Sequence, residues 1–353
     1  MITKENLIKK IYEIAEQVSL ELQLLDKSSE FKWEQFSNDL KYMPINYSLR
    51  YVRYQTLYYQ EKYNFCLDIS MFLNLNGSLI GIWPLTFIIN KKQNFIKSQN
   101  EFILSPIFIN LNSNQRNKII LKCLEFLKIL KKYFKIENLI FTDNHVNLGY
   151  LTDWAKILLS NNSATKNKYI LGVDLKKSNS ELKNNIRKSY KSLINVASKN
   201  WNVKKLEKRN DQIWNLYKEL HKDVSGKKTR SDKTWDCQLE MIINKSAILY
   251  YVNDNSNKMV AGAFFEFTKD ETYYSTGAYK KEGTYKSLSH LLLYNAILDL
   301  KKKNIKWLLL GEKTFYPNIK DKNEKELNIE KFKSGFQTNI FRNLIYYNDQ
   351  DLF

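Results

Sequence analysis

The sequence predicts a mixed α/β (α+β) protein built as two units, residues 1–165 and 166–353, each a mixed central sheet flanked by helices. Three observations lead there. The length of 353 residues suits two domains at roughly 100–200 residues each. Segments of helical period alternate with short β-rich runs, and hairpins occur beside strand–helix–strand order, as in mixed sheets. The order helices, meander strands, helix, strand also occurs about twice, although no repeat is visible in the sequence itself.

The elements follow in order. Residues 1–25 read as a helix with Leu7, Ile8, Ile11, Ile14, Ala15 and Val18 on one face. Residues 47–59 look helical and are rich in Tyr. The uncharged run 69–90 contains Asn74, Asn76, Gly77 and Pro84. An Asn-Gly pair between two apolar halves is a strong hairpin signal, so strands at about 64–75 and 79–89 are expected rather than a membrane span. A short apolar stretch at 102–109 precedes a helix at 114–133, with Ile119, Ile120, Cys123, Leu124, Leu127 and Leu130 on its apolar face. A strand at 138–142 and a helix near 150–160 close the first unit.

The second unit opens with a strand at 169–175. A basic helix follows, capped by Ser178 or Ser180. Leu182, Ile186, Tyr190, Leu193 and Ala197 form its buried stripe, and Lys183, Arg187 and Lys191 an adjacent basic stripe. Helices at 210–222 and 234–244 flank a polar loop, and three strands follow at 247–253, 259–267 and 272–278. A helix at 288–303, a strand at 306–310 ending in Gly311-Glu312, a short helix at 327–334 and a strand at 341–346 complete the chain.

Hydrophobic residues make up 43% and charged residues 26%, which excludes a disordered chain, a collagen and a coiled-coil rod. Fifty-six Lys and Arg against 37 Asp and Glu give a net charge of +19, which points to anionic partners. Residues 176–233 hold 17 of these bases and 6 of the acids, so they carry most of the excess. Only seven of the bases are Arg, and nucleic-acid binding tends to recruit clustered Arg. Cys66, Cys123 and Cys237 fit neither a disulfide framework nor a zinc pattern, which suggests a reducing compartment. Glu5, Glu13 and Glu16 do not suit a signal peptide. The expected location is cytoplasmic, at most peripheral at the inner membrane face. P-loop, GxGxxG, GxSxG and HExxH patterns are absent, and His145, His221 and His290 are scattered, so no metal is expected.

Three patterns carry a family resemblance: the strand and basic helix VDLKKSNSELKNNIRKSYKSLINVASK, the strand end Trp307-Leu-Leu-Leu-Gly-Glu, and Ile329-Glu-Lys-Phe-Lys-Ser-Gly-Phe336. In this order and spacing they resemble the FemAB-like tandem-GNAT transferases over about 166–346; over 1–165 the likeness is architectural. The family includes peptidoglycan bridge-forming aminoacyltransferases and exopolysaccharide-associated N-acyltransferases. The resemblance implies two tandem GNAT-like units with the site between them. It implies transfer of an acyl group to an amine of a phosphate-bearing envelope-glycan or nucleotide-sugar precursor. Acyl-CoA is the favoured co-substrate and aminoacyl-tRNA the alternative, with no permanently bound cofactor. A non-catalytic basic nucleic-acid-binding protein is the reading from another class. The long coiled-coil arm of some bridge-forming members is absent, which favours acyl-CoA.

The resemblance places Lys333 near the acceptor and the transferred group, where an ammonium can stabilise a carbonyl oxyanion. The alternative is a solvated surface lysine. Glu312, at a strand end, is a candidate proton acceptor, set against a salt bridge to a nearby Lys. Arg187 and Lys191 on the basic stripe, and Arg230 in the loop 226–232, are candidate phosphate ligands, set against solvated surface charge. Strand alternation predicts Tyr274 and Thr276 on one face and Tyr273 on the other. His290 can polarise a substrate group or serve as a structural histidine. The loop Lys280-Lys-Glu-Gly-Thr-Tyr-Lys-Ser stands where the family has its pyrophosphate loop but holds a single Gly. Gly283, Lys286 and Ser287 are its candidate donor-binding residues.

Overall fold

A computed structural model describes residues 3–90, 93–98, 100–143, 151–161, 163–316 and 318–347. The chain divides into two compact units, one of residues 1–167 and 343–353 and one of residues 168–342.

The first unit contains α1 (Lys4–Gln17), β1 (Leu22–Leu24), α2 (Glu30–Asp39), α3 (Leu49–Lys62), β2 (Phe65–Asp68), β3 (Met71–Leu75), β4 (Ser78–Trp83), β5 (Thr86–Asn90), β6 (Gln93–Lys97), β7 (Ile103–Leu104), β8 (Ile107–Phe108), α4 (Ser113–Phe134), β9 (Ile140–Thr142) and α5 (Asp153–Ser160). Asn76 and Gly77, at φ of 51° and 75°, form the hairpin turn between antiparallel β3 and β4. Both left-handed residues match the right-handed twist of the flanking strands. Gly77→Ala is therefore expected to cost about 1–2 kcal/mol, read as a lower urea midpoint with an unchanged slope.

The hairpin is longer than its turn. Each expected strand breaks in two, and β2 with β5 continues the pairing in a separate sheet with β6. The corner lies at Ser70 and Leu85. The Ser70 hydroxyl donates to the Leu85 carbonyl at 3.3 Å and accepts from the Leu85 amide at 3.1 Å. Pro84, without an amide hydrogen, suits such a break. Alternation along β3 feeds two cores. Met71 and Leu73 pack with α1 and α4, while Phe72 packs with Trp33, Phe36 and Tyr47. The apolar faces expected for 1–25 and 114–133 are the buried ones, apart from the partly exposed Ile8, and the first helix ends at Gln17. No helix among the described residues is long and apolar enough to cross a membrane.

The second unit takes most of β10 (Ala164–Asp174), then α6 (Asn179–Asn185), α7 (Lys188–Asn200), β11 (Lys204–Leu206), α8 (Asp211–Ser225), α9 (Asp232–Ile243), β12 (Ala247–Asn253), β13 (Met259–Phe267), β14 (Glu271–Tyr279), α10 (Leu288–Lys302), β15 (Trp307–Lys313), α11 (Glu324–Ser334) and the start of β16 (Asn339–Tyr347). Its sheet runs β11-β12-β13-β14-β15-β10-β16. One face carries α7 and α10 over Tyr250, Ala263, Phe265 and Leu308. The other carries α8 and α9, with Trp214 against Tyr217, Trp235 and Phe264.

Three expectations change. Residues 343–347 group with the first unit, where Ile345, Tyr346 and Tyr347 pair with Thr142, Phe141 and Ile140 of β9 and Tyr346 is buried. The basic helix is broken at Ile186 and Arg187, whose backbones are extended. The break resets the helical phase, so Ile194 is buried in place of Leu193, which is 37% exposed. The strand at 306–310 continues through Glu312 to Lys313.

Candidate functional site

The sheet of the second unit has a gap in its pairing. β14 and β15 are parallel and pair over Glu271–Tyr273 with Trp307–Leu309. Beyond that β14 pairs with β13 alone, while β15 stays paired with β10 as far as Lys313. Two strand edges, from Tyr274 and from Leu310 onward, thus face the gap without a partner strand among the described residues. A register shift between Phe264 and Phe265 leaves Ser275 as an extra residue in β14, the arrangement of a β-bulge.

Lys333, in the last turn of α11, projects to this place. Its Nζ lies 3.1 Å from the point that a Cβ on Gly311 would occupy, and the Tyr273 hydroxyl lies 4.0 Å from the same point. Gly311 has φ of +111°, a conformation open to glycine and strained for any other residue. The ammonium also stands 5.2 Å from the centroid of the Tyr274 ring. Burial lowers Lys333 to about 8, while Glu312 and Glu330 pull it back up. Glu330 is buried and accepts from the Thr314 amide at 2.9 Å and the Thr314 hydroxyl at 2.8 Å, so it ties α11 to the end of β15. Glu312 is nearly half exposed and pairs with Lys168 at 2.6 Å. The salt bridge weighed against its proton-acceptor role is therefore present.

The bulge overturns the expected alternation. Tyr274 faces the α7–α10 core, stacked on Phe265 at 5.0 Å with its hydroxyl 2.6 Å from that of Tyr279. Thr276 faces the other way, 3.0 Å from the Tyr217 hydroxyl on α8. With Ser275 inserted between them, the two side chains take opposite faces, and Thr276 shares the face of Tyr273 and Phe264.

The basic stripe is not continuous either. Lys183 and Lys191 line a small pocket of about 180 Å³ with Asn195, Ser198 and Asn295, and Lys191 donates to the Asn184 carbonyl at 3.3 Å. Arg187 turns to Tyr190 instead, its guanidinium 4.9 Å from the ring centroid. Arg230 donates to the Gln238 side-chain oxygen at 2.8 Å and lies over the Trp235 ring at 4.6 Å. Trp235 is a buried core residue. His290 is enclosed by Tyr190, Phe332 and Phe336. Burial and the Arg187 charge lower it to about 4, so it is neutral at ordinary pH. His145 lies outside the described residues, among which no cluster of metal-ligating side chains is assembled.

The loop read as a phosphate loop is a 3-10 turn, Gly283–Ser287, leading directly into α10. Gly283 has φ of +53° and open space where a Cβ would stand. Lys286 is exposed and Ser287 buried. The side chain of Ser287, the residue before α10, makes no capping hydrogen bond.

Sequence reasoning did not single out Gly311, Tyr273, Glu330 or Glu266 as site residues. Gly311 could be found only from its φ, and Glu330 only from the fold that brings it to Thr314. Glu266 faces Tyr273 across the strand pair and is 2% exposed. Burial raises its carboxyl to about 7, against the opposing effects of Ser275, Arg230 and Gln238.

In the first unit a cavity of about 890 Å³ is lined by residues that include Lys41, Tyr42, Arg116, Asp153, Trp154 and Lys156. Arg116 pairs there with Asp153 at 2.9 Å.

The sequence matches no protein-family profile and no curated protein. Among solved structures it is similar to a crystal structure of FemX, with a TM-score of 0.66 and 15% identity over 94% of this chain and 98% of that one. It is also similar to a conserved protein of unknown function from Bacteroides thetaiotaomicron, with a TM-score of 0.58 and 9% identity over 93% and 99% of the two chains. For L-PGS from Bacillus licheniformis the values are 0.52 and 11%, over 77% and 82%. At these identities the likeness is one of fold: the chain has the fold seen in FemX.

Proposed function

We propose that this chain is an N-acyltransferase. It moves an acyl group from an activated donor, acyl-CoA in the favoured reading, to an amine on a phosphate-bearing envelope-glycan or nucleotide-sugar precursor. The observation that carries the reading is the Lys333 ammonium, partly desolvated beside Gly311 at the gap between β14 and β15. A thioester carbonyl placed there would meet a cation on its oxygen. As the acceptor amine attacks, the new C–N bond forms and the oxygen takes negative charge, which the ammonium stabilises. Collapse breaks the C–S bond and releases the thiolate. The amine proton leaves to Glu312, directly or through water. Because the donor is already activated, orientation and one oxyanion stabiliser meet most of the catalytic demand.

Two further features support a CoA donor. The unpaired edges of β14 and β15 offer backbone donors and acceptors, which suit the amide groups of a pantetheine arm. The start of α10, with Gly283, Lys286 and Ser287 before it, suits a pyrophosphate at a helix amino end. The excess charge of residues 176–233 favours an aminoacyl-tRNA donor as the second reading. The internal engagement of Arg187 and Arg230 weighs against both as free phosphate ligands. Lys191, at its small pocket, is the more available cation.

Calorimetry at physiological salt tests the donor. Coenzyme A is expected to bind and a charged tRNA pool to bind only weakly, with affinity lost steeply as salt rises. tRNA binding that persists at high salt and requires the aminoacyl end would reverse the choice. Binding of neither would overturn both donor readings.

A further inference from the structure

We propose that Arg187 and Tyr190 are positioning residues for Lys333, acting as a clamp that fixes the last turn of α11 from the break between α6 and α7. The inference rests on the role given to Lys333 above and adds the device that holds it in place.

The break serves a contact. With its backbone extended, Arg187 donates its own amide to the carbonyl of Gly335 at 2.9 Å. A continuous helix would spend that amide on the carbonyl four residues back. The same residue supplies the guanidinium, whose Nη1 donates to the Tyr190 hydroxyl at 3.0 Å. That hydroxyl in turn donates to the Lys331 carbonyl at 3.3 Å. The Tyr190 ring packs at 5.4 Å on Phe336 and 6.2 Å on Phe332. It also fills the space beside Gly335, where a Cβ would overlap it. Residues 331, 332, 335 and 336 are therefore each held from α7 or from Arg187 just before it, and Lys333 lies between them.

This arrangement accounts for two features a surface role leaves unexplained. A scarce arginine turns its fork inward, away from Lys183 and Lys191. Gly335 is required although its φ of −74° is open to any residue, because the ring needs the room. The group facing Arg187 from α10 is His290, which is neutral at ordinary pH, and burial pushes the Tyr190 phenol above its ordinary value, so neither changes charge as Lys333 titrates near 8. A displacement of about 1 Å at a reacting group can cost roughly 10²-fold in rate, which gives the clamp its importance.

The test needs no substrate. Lysine amines of the full chain are labelled competitively with acetic anhydride between pH 6 and 11, and each site is followed by mass spectrometry. In the wild-type chain Lys333 is expected to titrate near 8. In Tyr190→Phe, which keeps the ring and removes the hydroxyl, it is expected to move by about one unit toward the ordinary value of about 10.4. Arg187→Lys keeps the charge and loses the fork; it should do the same, and it carries the test if Tyr190→Phe melts early. Melting temperatures and the other lysines should not change. An unchanged Lys333 titration in both variants would overturn the clamp while leaving the role of Lys333 standing. Titration of wild-type Lys333 with the surface lysines would instead overturn the reading of Lys333 itself.

Discussion

Lys333→Ala is expected to lower turnover about 10²-fold, the scale on which a single oxyanion donor contributes, with kcat and kcat/KM falling together. In the proposed reaction the ammonium meets charge that exists only as the amine attacks, so its loss would be a loss of transition-state binding. Folding should not suffer. The folded-state value of Lys333, about 8, lies below the unfolded value of about 10.4. Between those two pH values the unfolded chain holds the proton more firmly, so this group's contribution raises stability with pH across that window. Its unfavourable contribution is fully present below about 8. At pH 7 the alanine variant should therefore melt no lower than the wild-type chain. Activity runs the opposite way: the lysine-dependent part of turnover should decline as pH rises through about 8 and the ammonium is lost. Steady-state kinetics over pH 6–10, beside melting curves, reads both. Wild-type turnover in the variant would make Lys333 an ordinary lysine.

Trp214→Ala is expected to cost about 3–5 kcal/mol, the range for emptying a large aromatic site in a core. Trp214 is 2% exposed and packs against Tyr217, Trp235 and Phe264. It thereby holds α8 and α9 on one face of the sheet. Tyr217 reaches Thr276 and also closes over Gly262, where a Cβ would stand 2.6 Å from its ring. A cavity at Trp214 should therefore loosen the loop that carries Arg230 as well as lower stability. Urea unfolding measures the first effect, and hydrogen exchange in residues 226–243 the second. A loss under 1 kcal/mol would mean that these helices are held elsewhere.

What the sequence revealed depended on the range of the interactions concerned. Periodicity and turn chemistry are local, so the faces of α1 and α4, the Asn76-Gly77 hairpin and the strands of the second unit were legible. The break at Arg187 was not, because the hydrogen bond that justifies it runs from its amide to the Gly335 carbonyl across about 150 residues. The bulge at Ser275 was hidden for the same reason: it is a property of the pairing with β13, and a single inserted residue sent Thr276 to the opposite face from Tyr274. Lys333 was singled out through the Phe-Lys-x-Gly-Phe resemblance, while Gly311 gained meaning only from its φ and its neighbours. Arg187 and Arg230 stand out in the sequence by their scarcity, but their partners, Tyr190 and Gln238, turn them inward.

The role proposed for Lys333 is to assist acyl transfer to an amine. Its most direct test is a transfer assay with purified chain, isotopically labelled acetyl-CoA and, separately, a tRNA pool charged with labelled amino acids. Each is incubated with an extract of phosphate-bearing envelope-glycan precursors, and N-acylated products are followed by mass spectrometry. Label is expected in a stable amide product with wild-type chain, from acetyl-CoA in preference to tRNA, and about 10²-fold less with Lys333→Ala. No amide product from either donor, or equal product from both forms of the chain, would contradict that role.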